Sequence, residues 1–289
     1  MVQITGTTKL LGVIGDPIAH SLSPVIHNAA IATLDLDYVY LPFPIISANL
    51  PNAIAGFEAI SLVGFSVTIP HKKAIMPLLA EIDKIATAVG AVNTVWRTSK
   101  GWRGSNTDVA GFISPLLNLH DWSQVTPVIL GNGGAARAVV YGCYELGCPE
   151  IHVCGRNKQN LREFKESWAR SPVSDRLIVR DWEELDTLLP QTTLLVNTTP
   201  LGMHPNEEQL PLSLEQIDRL SPQAIAYDLI YTPRPTKFLK EAQMRGLTTI
   251  DGLEMLVQQG AAALKIWLQR DTVPVDVMRS ALESYLKIA

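Results

Sequence analysis

Cysteine is scarce in this chain, with three among 289 residues, at positions 143, 148 and 154. An odd number with no zinc-binding spacing excludes a disulfide scaffold and a cysteine-built metal site. Cys154 falls inside an apolar run, so the thiols read as reduced and buried or incidental, and no metal is expected. Cationic excess is lacking as well, since 24 Lys and Arg stand against 28 Asp and Glu, a formal net charge of −4. Nothing is left over to neutralise a phosphate backbone, and no nucleic-acid partner is expected. There is no run of about 18 apolar residues to span a bilayer. The opening "MVQITGTTKLLGVIGDP" has neither the basic start nor the long apolar stretch of a signal peptide. The expectation is a cytoplasmic protein with no membrane contact, whose partners are small molecules.

What the chain does have is hydrophobic content, 47% over a length that accommodates two domains. Strand-like runs ("KLLGVIG", "DYVYLPF", "LVGFSVT", "AVNTVW") alternate with helix-like ones over 24–34, 47–60 and 71–79, the pattern of an α/β architecture. "WRTSKGWRGSNT" reads as a hairpin or turn pivoting on Gly101, and a domain junction is placed just after it. From residue 126 strands and helices alternate again, with helices over 134–146 and 158–169, which predicts a doubly wound, mostly parallel sheet of about six strands. Two strandless helices from Gly252 onward are expected to return to the first domain. The division is thus 1–107 with 252–289 as one domain and 108–251 as the other.

In "GFSVTIPHKK", residues 64–73, Phe65, Val67 and Ile69 alternate as on a half-buried strand, and Pro70 stops the ladder. Lys72 therefore follows a strand end, as a solubilising charge or as an amine held at a reaction centre. Asp108 likewise caps the helix that starts near Val109 or carries chemistry.

"VILGNGGAARA", residues 128–138, follows a strand and opens a helix, with spacing Gly131-x-Gly133-x-x-Ala136. The first glycine permits a tight turn, the second lets backbone approach a pyrophosphate, and the small third residue lets helix and strand pack. An NAD site places an acid at the end of the next strand, where this chain has Gly155-Arg156-Asn157-Lys158. A 2′-phosphate would meet a guanidinium there, which points to NADP(H); the other reading is a solvated helix start. In "VNTTPLGM", Thr198 and its neighbours end a further strand, facing the cofactor or simply making a turn.

"GDPIAHSLSPVIHN", residues 15–28, presents Ser21 and Ser23 before Pro24. Ser23 suits a helix N-cap with Pro24 at the first helical position, and the hydroxyl pair also suits a carboxylate. Both can hold together.

Taken in order with "SVTIPHK", "AVNTV", "GSNTDVAGF", the glycine fingerprint, "YDLIYTPRPTKFL" and "GLEMLVQQGA", these motifs resemble the shikimate dehydrogenase family, from about residue 9 to beyond residue 267. The resemblance implies a substrate-binding α/β domain and a Rossmann-like NADP-binding domain. It implies reversible NADPH-dependent reduction of 3-dehydroshikimate to shikimate, in aromatic amino acid biosynthesis, by a monomer or homodimer. Carried over by position, Ser21 and Ser23 look like carboxylate binders, with Tyr231 nearby. Thr68, Lys72, Asn93, Asp108 and Gln259 look like the groups around the ring hydroxyls and the reacting carbon, Lys72 and Asp108 forming the proton-transfer pair. Gly131, Gly133, Gly134, Ala135, Arg156, Asn157, Lys158 and Thr198 look like cofactor contacts, with Leu229 and Gly252 near the nicotinamide. The chain departs from the family pattern at Ser66, where Asn is common, at Gly155-Arg156-Asn157 with Asn160 in place of a second basic residue, and at Glu254. Two alternatives stand beside this one: an NAD-preferring quinate/shikimate dehydrogenase, and a catalytically silent dinucleotide-binding regulator.

Overall fold

The computed structural model describes residues 4–287 and divides into two compact units, one ending at Thr107 and resuming from Val257, the other Asp108–Leu256. The first unit opens with strand β1 (Lys9–Gly15), helix α1 (Ser23–Thr33), strand β2 (Tyr38–Pro44), helix α2 (Leu50–Ala59) and strand β3 (Gly64–Val67). Helix α3 (His71–Ala74), strand β4 (Glu81–Ile82) and helix α4 (Lys84–Val89) lead to β5 (Thr94–Thr98) and β6 (Gly101–Ser105). Its sheet runs β2-β1-β3-β5-β6-β4, with β1 parallel to β2 and β3. The pairs β3–β5 and β5–β6 are antiparallel, the latter being the hairpin whose turn closes at Gly101.

Strand β3 and the stretch after it depart from the sequence reading. Strand β3 ends at Val67 with all four of its residues buried, because it lies inside the sheet between β1 and β5 and is covered on both faces. Ile69, expected to continue its apolar face, lies beyond the strand and is 72% exposed. The stretch 71–79 is not one helix but a single α-turn followed by a 3₁₀ turn at Met76–Leu78, since Pro77 supplies no backbone N–H to continue the α ladder.

The second unit contains helix α5 (Asp108–Ile113), strand β7 (Val128–Leu130), helix α6 (Gly134–Glu145), strand β8 (Ile151–Gly155), helix α7 (Lys158–Glu166) and strand β9 (Leu177–Asp181). It continues with helix α8 (Leu185–Leu188), strand β10 (Leu194–Asn197), helix α9 (Leu214–Asp218), strand β11 (Ile225–Asp228), helix α10 (Lys237–Met244) and strand β12 (Thr248–Ile250). Asn157, Ser213 and Thr236 start α7, α9 and α10 as side-chain N-caps. The helix expected over 158–169 ends at Glu166, where the chain passes into turns.

The second sheet is parallel throughout, in the order β12-β11-β10-β7-β8-β9. Counted from β7 this is the doubly wound order with its switch point between β7 and β10, and such sheets bind ligands outside the carboxyl ends of the strands at that point. The α/β class and the doubly wound sheet are as the sequence predicts.

Helix α11 (Gly252–Leu268) carries the division between the units, and α12 (Val275–Tyr285) packs on α1 within the first. Trp267 on α11 donates its indole N–H to the Val95 carbonyl at 2.9 Å and covers Gly64, where a Cβ would meet the indole at 2.3 Å. The first core is built on Phe43, Phe57, Phe65 and Trp102, with successive ring centroids 5.2–5.3 Å apart. The second gathers Leu130, Leu195, Ala226, Phe238 and Leu239 between sheet and helices. Among the described residues no helix is long and apolar enough to cross a membrane.

Candidate active site

In the first unit the site is assembled by backbone bonds at the carboxyl end of β3. The Val67 N–H donates to the Asn93 carbonyl at 2.7 Å, and the Thr68 N–H to that of Ile14 at 3.0 Å. The His71 N–H closes a turn on the Thr68 carbonyl at 2.9 Å, and the Val92 N–H donates to the Lys72 carbonyl at 2.8 Å. His71 is itself buried, its Nε2 against the Ile45 carbonyl at 2.6 Å. Thr68, Lys72 and Asn93 thus share one stitched backbone, with the Lys72 side chain half-buried beside it. The Asn93 Oδ1 accepts from the Thr107 N–H at 2.7 Å and the Thr94 hydroxyl at 2.9 Å, which fixes the carboxamide. Gln259 is buried on α11.

The serine pair differs from the capping reading. Leu22, not Ser23, is the N-cap of α1, and Ser23 and Pro24 are its first residues, because the turn that closes Ser21 N–H on the Ile18 carbonyl starts the helix one residue early. Ser21 Oγ accepts the Ser23 N–H at 3.4 Å. The Ser23 hydroxyl instead bonds the phenol of Tyr40. That phenol is buried and donates to Ser66 Oγ at 2.9 Å, and burial pushes its pKa up. Asn28 holds the Tyr40 backbone with two bonds of 2.9 Å, and His27 stacks on its ring at 4.3 Å. Tyr40, Thr94 and Thr107 had no role in the sequence reading; "AVNTV" and "SNTD" carried the two threonines in plain view, whereas Tyr40 looked like one more apolar strand residue.

In the second unit, β7 ends at Leu130 and Gly131 turns the chain at φ +97°, a left-handed conformation that favours glycine. Its N–H donates to the Cys154 carbonyl at 2.8 Å. Thr198 follows β10 directly, its hydroxyl donating to the Leu130 carbonyl at 2.7 Å, which locks the two strand ends at the switch point. Gly133 caps α6 without a side chain, and a Cβ on Gly133 or Gly134 would find nothing within 4 Å. The mouth of that helix is therefore open and exposed, with Ala135 half-buried behind it and Ala136 fully buried where helix meets strand.

At the end of β8, Arg156 is exposed with its guanidinium 4.9 Å over the Trp182 ring. Asn157 uses its Oδ1 to accept the Asn160 N–H at 2.9 Å, and the Lys158 ammonium lies 2.8 Å from an Asp181 carboxylate oxygen. An open glycine cradle with a cation at the neighbouring strand end fits a dinucleotide carrying a 2′-phosphate.

Next to β10, Asp228 ends β11 opposite Asn197 and is buried. It accepts from the Asn197 amide at 3.0 Å, the Ile230 N–H at 3.1 Å and the Thr236 hydroxyl at 2.7 Å. Burial outweighs these bonds and pushes its carboxyl up to about 6. Asn197 Oδ1 in turn accepts the N–H and hydroxyl of Thr199 at 3.0 and 2.7 Å. Asp228 was legible only as part of the "YDLIY" motif. Leu229 and Tyr231 follow it half-buried, and burial raises the Tyr231 phenol. Gly252 sits against this loop so closely that a Cβ would lie 2.0 Å from the Leu229 carbonyl oxygen. Asp108 is buried as the first residue of α5.

Ser21, Ser23, Thr68, Lys72, Asn93 and Gln259 thus belong to the first unit, and Asp108, Tyr231 and the expected cofactor contacts to the second. All three thiols are free and buried, and the described residues hold no cluster of three or more His, Cys, Asp or Glu suited to a metal ion.

Two family models match, the shikimate dehydrogenase substrate binding domain over residues 13–95 and the shikimate 5'-dehydrogenase C-terminal domain over residues 252–283. A shikimate dehydrogenase (NADP(+)) of Trichormus variabilis is 64% identical over 98% of this chain and 99% of its own length. Among solved structures, a shikimate dehydrogenase in complex with NADP+ is 36% identical, with a TM-score of 0.87 over 98% of each chain. A shikimate 5-dehydrogenase of Listeria monocytogenes, in complex with shikimate and NAD, is 35% identical, with a TM-score of 0.87 over 97% of this chain and 98% of that one.

Proposed function

The chain belongs to the shikimate dehydrogenase family, and on that premise we propose that it interconverts 3-dehydroshikimate and shikimate by hydride exchange with NADP(H). The full-length kinship carries this reading, and the arginine that stands where an NAD site has an acid supports the choice of cofactor. NADPH, when bound, supplies the hydride. The chain's residues bind the acid, hold its ring and manage the proton. Residues 1–107 with 252–289 bind the substrate, and residues 108–251 bind the cofactor.

Ser21 and Ser23 take the carboxylate, with Tyr231 as a third hydroxyl. Thr68, Asn93 and Gln259 hold the ring hydroxyls. Asn93 supports that role well, because its Oδ1 is already saturated by Thr107 and Thr94 and the carboxamide cannot flip. A ketone that receives a hydride develops negative charge on oxygen, and the barrier falls when a proton donor is in place. Lys72 is that donor in reduction and the acceptor in oxidation, with Asp108 as its acidic partner. The stitched backbone around Lys72 supports this by fixing where the amine stem begins. The protein works in the cytoplasm as a monomer or homodimer.

The test is an absorbance assay of nicotinamide reduction with shikimate or quinate and NADP+ or NAD+. Turnover with shikimate and NADP+ is expected to exceed the other three combinations. No turnover with either acid would leave a silent dinucleotide-binding protein, and a preference for quinate with NAD+ would move the chain to the neighbouring activity.

A further inference from the structure

The acid absent from the end of β8 stands one strand away. In the parallel register Gly155 on β8 faces Asp181 on β9, so the Asp181 carboxylate emerges beside Arg156 and Lys158 at the same sheet edge. It lies 2.8 Å from the Lys158 ammonium. Arg156 is held differently, with its guanidinium over the face of Trp182, the residue after Asp181. Of Arg156 and Lys158, only Lys158 has a carboxylate within ion-pair distance among the described residues.

We propose that Asp181 is a specificity-determining residue that restrains the preference for a 2′-phosphorylated adenosine by occupying Lys158, leaving Arg156 on its Trp182 platform as the main phosphate ligand. The inference rests on the NADP(H) reading. A phosphate dianion that arrives at Arg156 competes with Asp181 for the Lys158 ammonium. A ligand without the 2′-phosphate has no such competition. The Asp181 charge thus acts on the difference between the two ligands.

Asp181 also begins the 3₁₀ turn Trp182–Glu184 as half of a capping box, its N–H donating to Glu184 Oε1 at 3.0 Å. Asn and Ser cap as well as Asp, so Asp181→Asn removes the charge and keeps the turn.

The experiment is calorimetric titration of the full chain with 2′,5′-ADP and with 5′-ADP, which reads binding without turnover. Wild type is expected to prefer 2′,5′-ADP. Asp181→Asn is expected to raise that preference by about threefold to fivefold, the size of one exposed charge interaction, with 5′-ADP affinity unchanged. Adding Lys158→Gln to Asp181→Asn is expected to abolish the gain. If Asp181→Asn fails to fold, Asp181→Ser takes its place. A preference that is present in wild type but unmoved by the loss of Asp181, or a gain that survives Lys158→Gln, overturns the inference alone. A wild type that binds both ligands equally removes the NADP(H) reading and the inference with it.

Discussion

Asn197 and Asp228 stand opposite each other at the carboxyl ends of adjacent parallel strands, the amide of one donating to the carboxylate of the other at 3.0 Å. The pair ties together the loops that follow β10 and β11, since Asn197 also holds Thr199 and Asp228 also holds Ile230 and Thr236.

A carboxyl raised from 3.8 to about 6 binds its proton more tightly in the native state than in the unfolded one. Between those values the folded protein carries the extra proton, so this group's contribution is greatest at low pH and is lost as pH rises from about 4 to about 6. The full swing is about 3 kcal/mol. Denaturant melts of wild type and Asp228→Asn across that window should show the two diverging, wild type losing stability relative to the variant as pH rises. Parallel curves would mean that the carboxyl titrates normally.

His27 is expected to act in the opposite direction. It is buried, neither ring nitrogen has a hydrogen-bond partner among the described residues, and burial lowers its pKa from 6.5 to about 3. Its contribution is present above pH 6.5 and is lost as pH falls from there toward 3. His27→Phe keeps a ring stacked on Tyr40 and removes the titration. The variant should therefore lose less stability than wild type on acidification, as read by thermal melts at stepped pH.

These two residues also mark where sequence reading stops. The glycine turn at 131–134 and the strand–helix alternation are local patterns, and each was legible because the cause lies within a few neighbouring residues. The Asp228 network joins positions on different strands, and the Tyr40–Ser66 bond joins β2 to β3, so neither has a local signature. The pairing of Lys158 with Asp181 joins a helix start to a neighbouring strand and likewise had no local signature. Ile69 was assigned to a buried face because alternation alone does not show that the ladder has already ended. The serine at the start of α1 was misread by one position, which is the ordinary uncertainty of a helix end.

Gly252 tests how tightly the start of α11 is set against the Leu229 loop. An added Cβ would meet the Leu229 carbonyl oxygen at 2.0 Å and its carbon at 2.5 Å, both backbone atoms. Gly252→Ala must displace main chain, at a cost of about 2 kcal/mol or more. A shift of the urea midpoint to lower concentration, with weaker NADPH binding, is the expected result. An unchanged midpoint would show that the loop moves freely.

Ser21 and Ser23 should separate on mutation. Among the described residues Ser21 Oγ makes a single long bond, 3.4 Å to the Ser23 N–H, so its removal costs the fold little. Ser21→Ala is expected to raise KM for shikimate by about tenfold or more, the value of one hydrogen bond to a charged group, with kcat nearly unchanged. Ser23→Ala also disturbs the buried Tyr40 phenol and should lower thermal stability as well. Steady-state kinetics with shikimate as the varied substrate distinguishes the two, and an unchanged KM in Ser21→Ala would leave that serine as a turn residue alone.

Lys72 carries the largest consequence. Its backbone is held by Val92 from one side and by the buried His71 from the other, so Lys72→Ala removes the amine while leaving the α-turn in place. If the lysine moves the proton, kcat should fall by a factor of about 100 or more, with KM for shikimate within about threefold of wild type. A variant that is merely misfolded would lose both parameters together and melt early, so the split between kcat and KM, read alongside the melting temperature, separates chemistry from structure. A fall in kcat of less than about tenfold, worth about 1.4 kcal/mol of barrier, would assign the proton to another group.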